Sequence, residues 1–93
     1  MENEASSPNH ISRELYEQYI FLMGWNVLRY KTKHNLSVHD LKDNFRCTAR
    51  SRGEGRGYKH RESFYYKKKL IITIQLEYCD SRWEWKILAS SIV

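Results

Sequence analysis

Two rhythms of apolar residues divide the chain. From residue 9 to residue 33 they recur at three- and four-residue steps, and from residue 45 onward they fall at every second position. The first rhythm predicts a long helix over Asn9–Lys33. Leu15, Tyr19, Leu22, Met23, Val27 and Tyr30 form its main stripe, widened by Tyr16 and Ile20, and Phe21, Trp25 and Leu28 form a second one. Ser7 is placed to cap the helix and Pro8 suits its first position. Lys31, Lys33 and His34 suit the negative end of the dipole, and Asn35 is a stop signal. An apolar circumference exceeds what one buried face needs. It points to a helix wrapped by a sheet or to one with spare surface for a partner.

After Asn35, Ser37 and Asp40 stand at capping-box spacing, which predicts a short helix over residues 38–43. The two-residue rhythm then predicts strands. Folding the chain at Asp80-Ser81 sets Tyr78 against Trp83, Leu76 against Trp85, Ile74 against Ile87 and Ile72 against Ala89 on one face. The opposite face then pairs Glu77 with Glu84, Gln75 with Lys86 and Thr73 with Leu88. A slip of one residue would turn both Trp side chains to water, so this register is well specified. A further strand over Phe45–Ser51 would turn Phe45, Cys47, Ala49 and Ser51 inward and Arg46, Thr48, Arg50 and Arg52 outward. Its partner is the first half of the long strand, through Phe64, Tyr66, Leu70 and Ile72. Lys68 falls on the inner side of that strand, which predicts a bulge near residues 66–69. Three glycines in Arg52–Gly57 predict a mobile loop over residues 52–63.

The expectation is an α+β fold, with the long N-terminal helix packed on a three-stranded antiparallel β-meander (α-β-β-β). Residues 1–8 form a flexible tail and residues 9–93 a single domain. Val38, Leu41, Phe45 and Ala49 also fit helical spacing, so the alternative is a winged-helix-like arrangement with a helix over residues 38–50. Phe, Cys and Thr favour the strand there.

Charge adds a direction to the fold. Ten of the sixteen Lys and Arg residues fall between Lys42 and Lys69 with three acids, a segment charge of +7, and the remaining six cations face eight acids, −2. On the expected sheet, Arg46, Arg50, Lys67 and Lys69 share the outward face with Tyr65 between them, and Arg52, Arg56, Lys59, His60 and Arg61 sit in the adjoining loop. Phosphates are held by several fixed cations, and an aromatic ring gives an unpaired base a surface to stack on. The pattern therefore indicates a small non-catalytic nucleic-acid-binding module that reads RNA or DNA by backbone and shape. The bland alternative is a solvated Lys/Arg face. The alternative function is a protein-interaction subunit or adaptor, homodimeric through Tyr16, Ile20, Phe21, Trp25 and Leu28.

Other constellations are weaker. Glu84-Trp-Lys86 with Glu77 opposite resembles the acid–lysine grouping that holds Mg²⁺ in nucleases. No Asp stands where a further ligand is needed, and a cross-strand Glu–Lys pairing explains the spacing equally well. His34, His39, Cys47, His60 and Cys79 match no zinc spacing, so no metal and no cofactor is assigned. Ser91-Ile-Val93 has the form of a strand-adding C-terminal ligand, but a paired last strand would occupy it. Cys47 and Cys79 read as reduced thiols, Cys47 as a small core side chain. The longest apolar runs, Tyr19–Gly24 and Leu70–Leu76, are far short of the ~20 residues that span a bilayer. With no apolar signal region at the N-terminus, a cytoplasmic or nuclear location is expected.

Overall fold

The structure is a computed structural model that describes residues 11–91. The expected tail, the Ser7 cap, Pro8 and the last two residues of the C-terminal motif lie outside the described residues. Helix α1 spans Arg13–Lys33, α2 Val38–Asn44, and the strands are β1 (Phe45–Arg52), β2 (Lys59–Tyr66), β3 (Lys69–Cys79) and β4 (Arg82–Ser90). They form one antiparallel sheet in the order β1-β2-β3-β4.

Helix α1 starts at Arg13, later than its sequence pattern indicated. Ser12 is extended, and its hydroxyl accepts from the Leu15 backbone N–H at 3.1 Å. Leu15 is also the first buried position among the described residues of the stripe. At the other end Asn35 takes a left-handed φ of 53°. The Leu36 N–H reaches back to the Lys31 carbonyl at 3.0 Å, and Leu36 packs on the core. The capping box of α2 is complete: Asp40 N–H donates to the Ser37 hydroxyl at 3.0 Å, and Ser37 N–H donates to the Asp40 carboxylate at 3.1 Å. That second bond leads the causes that hold the Asp40 carboxyl below its ordinary range. Helix α2 ends at Asn44 and β1 begins at Phe45, which rules out the winged-helix-like alternative.

Four strands, not three, follow the helices. The long strand expected after the Gly-rich segment is broken by a two-residue turn at Lys67-Lys68, with φ of 49° and 70°. Asp80-Ser81 makes the second such turn, with φ of 53° and 67°. Two consecutive positive φ values match the twist of a tight hairpin. The turn removes the conflict over Lys68, which sits in the turn and not on a strand. The bulge lies further on, where Tyr65 pairs with Leu70 and Phe64 with Ile72, so that Ile71 is the extra residue.

The β3–β4 register follows the expected pairs from Tyr78–Trp83 to Ile74–Ile87 and from Glu77–Glu84 to Gln75–Lys86. Beyond Ile74 it shifts by one, and Ile72 meets Ser90 and Thr73 meets Ala89. Leu88 is left without a partner across the ladder and is exposed. The core comprises Phe64, Tyr66, Ile71, Ile72, Ile74, Leu76 and Trp85 with Leu15 and Tyr30 from α1, and Tyr19 and Leu22 pack against it. Tyr19 and Trp85 rings meet at 5.0 Å. Helix α1 lies over β3 and β4. Cys47, Ala49 and Ser51 point to the helix side but remain exposed, so Cys47 is not a core side chain.

Candidate nucleic-acid interface

The sheet face away from α1 is organised in cross-strand rows. Arg50, Arg61, Gln75 and Lys86 form one, and Arg52, Lys59, Glu77 and Glu84 form the next. On the other side Thr48 meets Ser63 and Thr73, and Arg46 meets Tyr65 and Leu70. Strand alternation thus puts Arg46, Arg50, Arg52, Lys59, Arg61 and Tyr65 on one surface. The β1–β2 half carries cations and no acid, whereas both acids, with Lys86 and Arg82, lie on the β3–β4 half. Arg50, Arg52, Lys59, Arg61 and Gln75 line a shallow depression of about 140 Å³.

The two halves differ in how their charges are satisfied. On the β3–β4 side Lys86 Nζ lies 3.5 Å from Glu77 Oε2, Gln75 donates to Glu77 Oε1, and the Cys79 thiol donates to Glu84 Oε2 at 3.3 Å. The Lys86 ammonium is held above its ordinary pKa, chiefly by its contact with Cys79. Arg61 donates from Nε and Nη2 to Gln75 Oε1 at 3.2 and 3.0 Å. Arg46, Arg50, Arg52 and Lys59 form no ion pair among the described residues; the Lys/Arg–carboxylate pairs there are Arg13–Glu17 and Lys86–Glu77. Four cations are thereby presented to solvent on one side of a sheet edge. Charged side chains also discourage strand addition at such an edge.

Several expected site residues fall elsewhere. Lys59, His60 and Arg61 belong to β2 and not to a loop. His60 faces the helix side, because its neighbours Arg61 and Lys59 face away. Lys69 pairs with Tyr66, a core-side position, so it does not share the face of Arg46. Lys67 is in the turn, with its ammonium over the Tyr66 ring at 5.6 Å. Arg56 sits in the short helical turn Gly55–Gly57, and its guanidinium lies over the Tyr78 ring at 5.6 Å. That segment is folded rather than featureless. Gly53 has φ +83°, and a Cβ there would lie 2.3 Å from the Gly57 carbonyl oxygen, so the turn requires glycine.

Glu77, Glu84 and Lys86 do stand together, each with a protein partner as described. No group of three or more metal-ligating side chains occurs among the described residues. Tyr16, Ile20, Phe21, Trp25 and Leu28 are all exposed. Phe21 (63% exposed) and Trp25 (51%) stack in parallel at 6.2 Å, with Leu28 (54%) beside them on the side of α1 that faces away from the sheet.

A polar chain not anticipated from the sequence lies on the helix side of the sheet. Ser51 Oγ and His60 Nδ1 are 2.5 Å apart, and His60 Nε2 is 2.8 Å from Glu62 Oε2. Tyr19 donates its hydroxyl to Glu62 Oε1 at 2.8 Å. Burial, then this bond, pushes the Tyr19 hydroxyl well above its ordinary pKa near 10. The signal was the alternation His60, Glu62, Phe64, Tyr66, which runs back almost to Gly57 and marks a strand where a loop was expected.

No helix of the described residues is long and apolar enough to cross a membrane. Compared with known proteins, the chain matches no protein-family model, no curated protein and no solved structure.

Proposed function

We propose that the protein is a small nucleic-acid-binding module that engages RNA or DNA through the face of β1 and β2, acting in the cytoplasm or nucleus. One observation carries the reading: Arg46, Arg50, Arg52 and Lys59 share a face without acidic partners among the described residues, while both acids of that face are engaged on the far strands. Arg50 and Arg52 are two residues apart on one strand, about 6.8 Å. Side chains that long reach successive phosphates of an extended strand. Tyr65, half-buried beside Arg46, offers a ring edge and face to a base. With few groups of fixed donor–acceptor pattern on the face, it reads backbone and shape more than sequence. Changing Arg46 and Arg50 to Glu is expected to lower affinity for short RNA and DNA oligomers, measured by fluorescence anisotropy. Unchanged affinity would remove the proposal.

The second reading is a protein-interaction surface on α1, supported by the exposed stacked pair Phe21–Trp25 with Leu28. Exposed aromatic clusters of this kind are enriched at interfaces. Sedimentation of the parent and of Trp25→Ser separates self-association from a monomeric state.

A further inference from the structure

We infer that Ser51 is an activated nucleophile, with His60 as its base and Glu62 as the residue that positions His60, and that the adjoining cavity takes a small ester with an apolar body. The site lies on the opposite side of the sheet from the basic face and does not depend on it.

With His60 as the neutral imidazole, hydrogen-bond logic places the protons. An ionised Glu62 can only accept, so the contact at 2.8 Å requires His60 Nε2 to carry hydrogen. In the neutral imidazole Nδ1 is then the acceptor, and the Ser51 hydroxyl 2.5 Å away is its donor. Tyr19 anchors the far end by donating to the other Glu62 oxygen at 2.8 Å. The order hydroxyl, imidazole, carboxylate is the arrangement that raises the nucleophilicity of a serine. Here the two ring nitrogens are exchanged relative to the usual serine-hydrolase assignment, which the geometry of a general base permits.

Burial grades along the chain in the sense the chemistry needs. Ser51 is exposed, whereas the His60 and Glu62 side chains are 22% and 17% exposed. The nucleophile is thus reachable while its supports are shielded. All three line a cavity of about 320 Å³, whose remaining wall is mainly aromatic and aliphatic, including Tyr16, Tyr19, Tyr58, Leu76 and Trp85. An apolar cavity with a few convergent polar groups is the usual form of a small-molecule site. Tyr58 adds a hydroxyl 3.4 Å from Ser51 Oγ. Backbone order supports the placement: Ser51 and His60 are direct cross-strand partners, and Glu62 follows His60 by two on the same face.

The step balances without a co-reactant other than water. Ser51 Oγ bonds to the ester carbonyl carbon as its proton passes to His60 Nδ1. Collapse breaks the bond to the leaving alkoxide, which takes that proton and departs as the alcohol. Water then attacks the acyl carbonyl carbon as His60 Nδ1 accepts its proton; collapse breaks the bond to Ser51 Oγ, which takes that proton back, releasing the carboxylic acid and restoring the Ser51 hydroxyl and neutral His60.

The experiment treats the full chain with a fluorophosphonate probe and maps the adduct by mass spectrometry, alongside release of p-nitrophenol from p-nitrophenyl acetate. The expected result is one adduct, on Ser51, that requires the folded state and is absent after heat unfolding. Ser51→Ala is expected to abolish it without changing the circular-dichroism spectrum. His60→Gln is expected to slow labelling by about 100-fold or more. Glu62→Gln is expected to slow it in part, with recovery in Glu62→Asp, which a merely structural role would not give. Absence of a Ser51 adduct on the folded parent protein overturns the inference, whatever the variants do. Labelling that persists at the parent rate in a folded His60→Gln protein also overturns it. Changing Arg46 and Arg50 to Glu leaves labelling intact, so failure here and failure of nucleic-acid binding are separate outcomes.

Discussion

Replacing Arg46 and Arg50 by Ala gives a quantitative test of the basic face, because counterion release scales with the number of phosphates neutralised. Four cations on the β1–β2 half of that face, Arg46, Arg50, Arg52 and Lys59, have no acidic partner among the described residues, and Arg61 is tied to Gln75. If all four contact phosphates of a single strand, log K falls with log salt at a slope of about −2.8, and the double variant leaves two contacts and a slope of about −1.4. Between 50 and 200 mM salt the parent then weakens about 50-fold and the variant about 7-fold. The assay is anisotropy of a labelled single-stranded RNA and its DNA counterpart at four salt concentrations, with both proteins checked for the same fold. Both arginines are exposed, so the substitutions leave the core untouched. Parallel slopes for the two proteins would refute the reasoning, since they would mean the lost cations never met phosphate. A parent slope shallower than about −1 would do so as well, by limiting the whole face to a single contact.

Trp85 is 4% exposed and its indole N–H has no hydrogen-bond partner among the described residues, so Trp85→Ala is expected to cost about 3–5 kcal/mol by urea unfolding. Trp85→Phe is expected to cost much less, because it keeps a ring against Tyr19 and deletes an unpaired donor; equal losses would argue against that account. Asp80 and Ser81 both hold positive φ, so Asp80→Asn with Ser81→Gly is expected to stabilise the fold by about 1 kcal/mol, read from the urea midpoint at unchanged m-value. Tyr19 holds its proton more tightly when folded than its ordinary value near 10 allows, so its contribution is complete below pH 10 and is lost as pH rises beyond that. Tyr19→Phe is therefore expected to flatten the decline of stability above pH 10 relative to the parent, and an identical decline would show that the hydroxyl is not held by Glu62.

The parts of the fold that could be read from sequence are those where one local rule acts alone. Tyr78 to Ile74 against Trp83 to Ile87 followed from alternation and the cost of exposing two Trp rings, and Ser37–Asp40 followed from capping geometry. The turn at Lys67-Lys68 was hidden because neither residue favours positive φ. Its formation reflects the pairing of the flanking strands, which is a tertiary effect. Missing that turn carried the inward-outward parity across it, so Lys69 was assigned to the wrong side. The glycines misled in the other direction. Gly53 and Gly55 serve a tight, folded turn, but their density read as a long loop and concealed the first half of β2. Of the basic face, Arg46, Arg50 and Arg52 were legible from the parity of β1 and Tyr65 from the parity of the strand that follows the Gly-rich segment, whereas Arg61 and Lys59 joined it only once β2 was seen to begin at Lys59.

The fourth strand also explains why the helix side of the sheet is uneven. Strands lie about 4.8 Å apart, so four span roughly twice the 10 Å diameter of a helix with its side chains. A three-stranded sheet would have been nearly covered by α1; a four-stranded one leaves an edge bare. Helix α1 settles over β3 and β4, where Ile72, Ile74, Leu76 and Trp85 supply the apolar surface. The helix-side positions of β1 and β2 therefore meet solvent beyond Phe64 and Phe45, and their residues turn polar: Ser51, His60 and Glu62. Polar side chains facing a half-covered cavity must satisfy one another or water. Here they do so as a single ordered chain from Ser51 to Tyr19 across two strands and the helix. The same mismatch of widths thus exposes Cys47, opens the cavity under the first turns of α1, and forces a carboxylate and an imidazole into register behind an exposed hydroxyl.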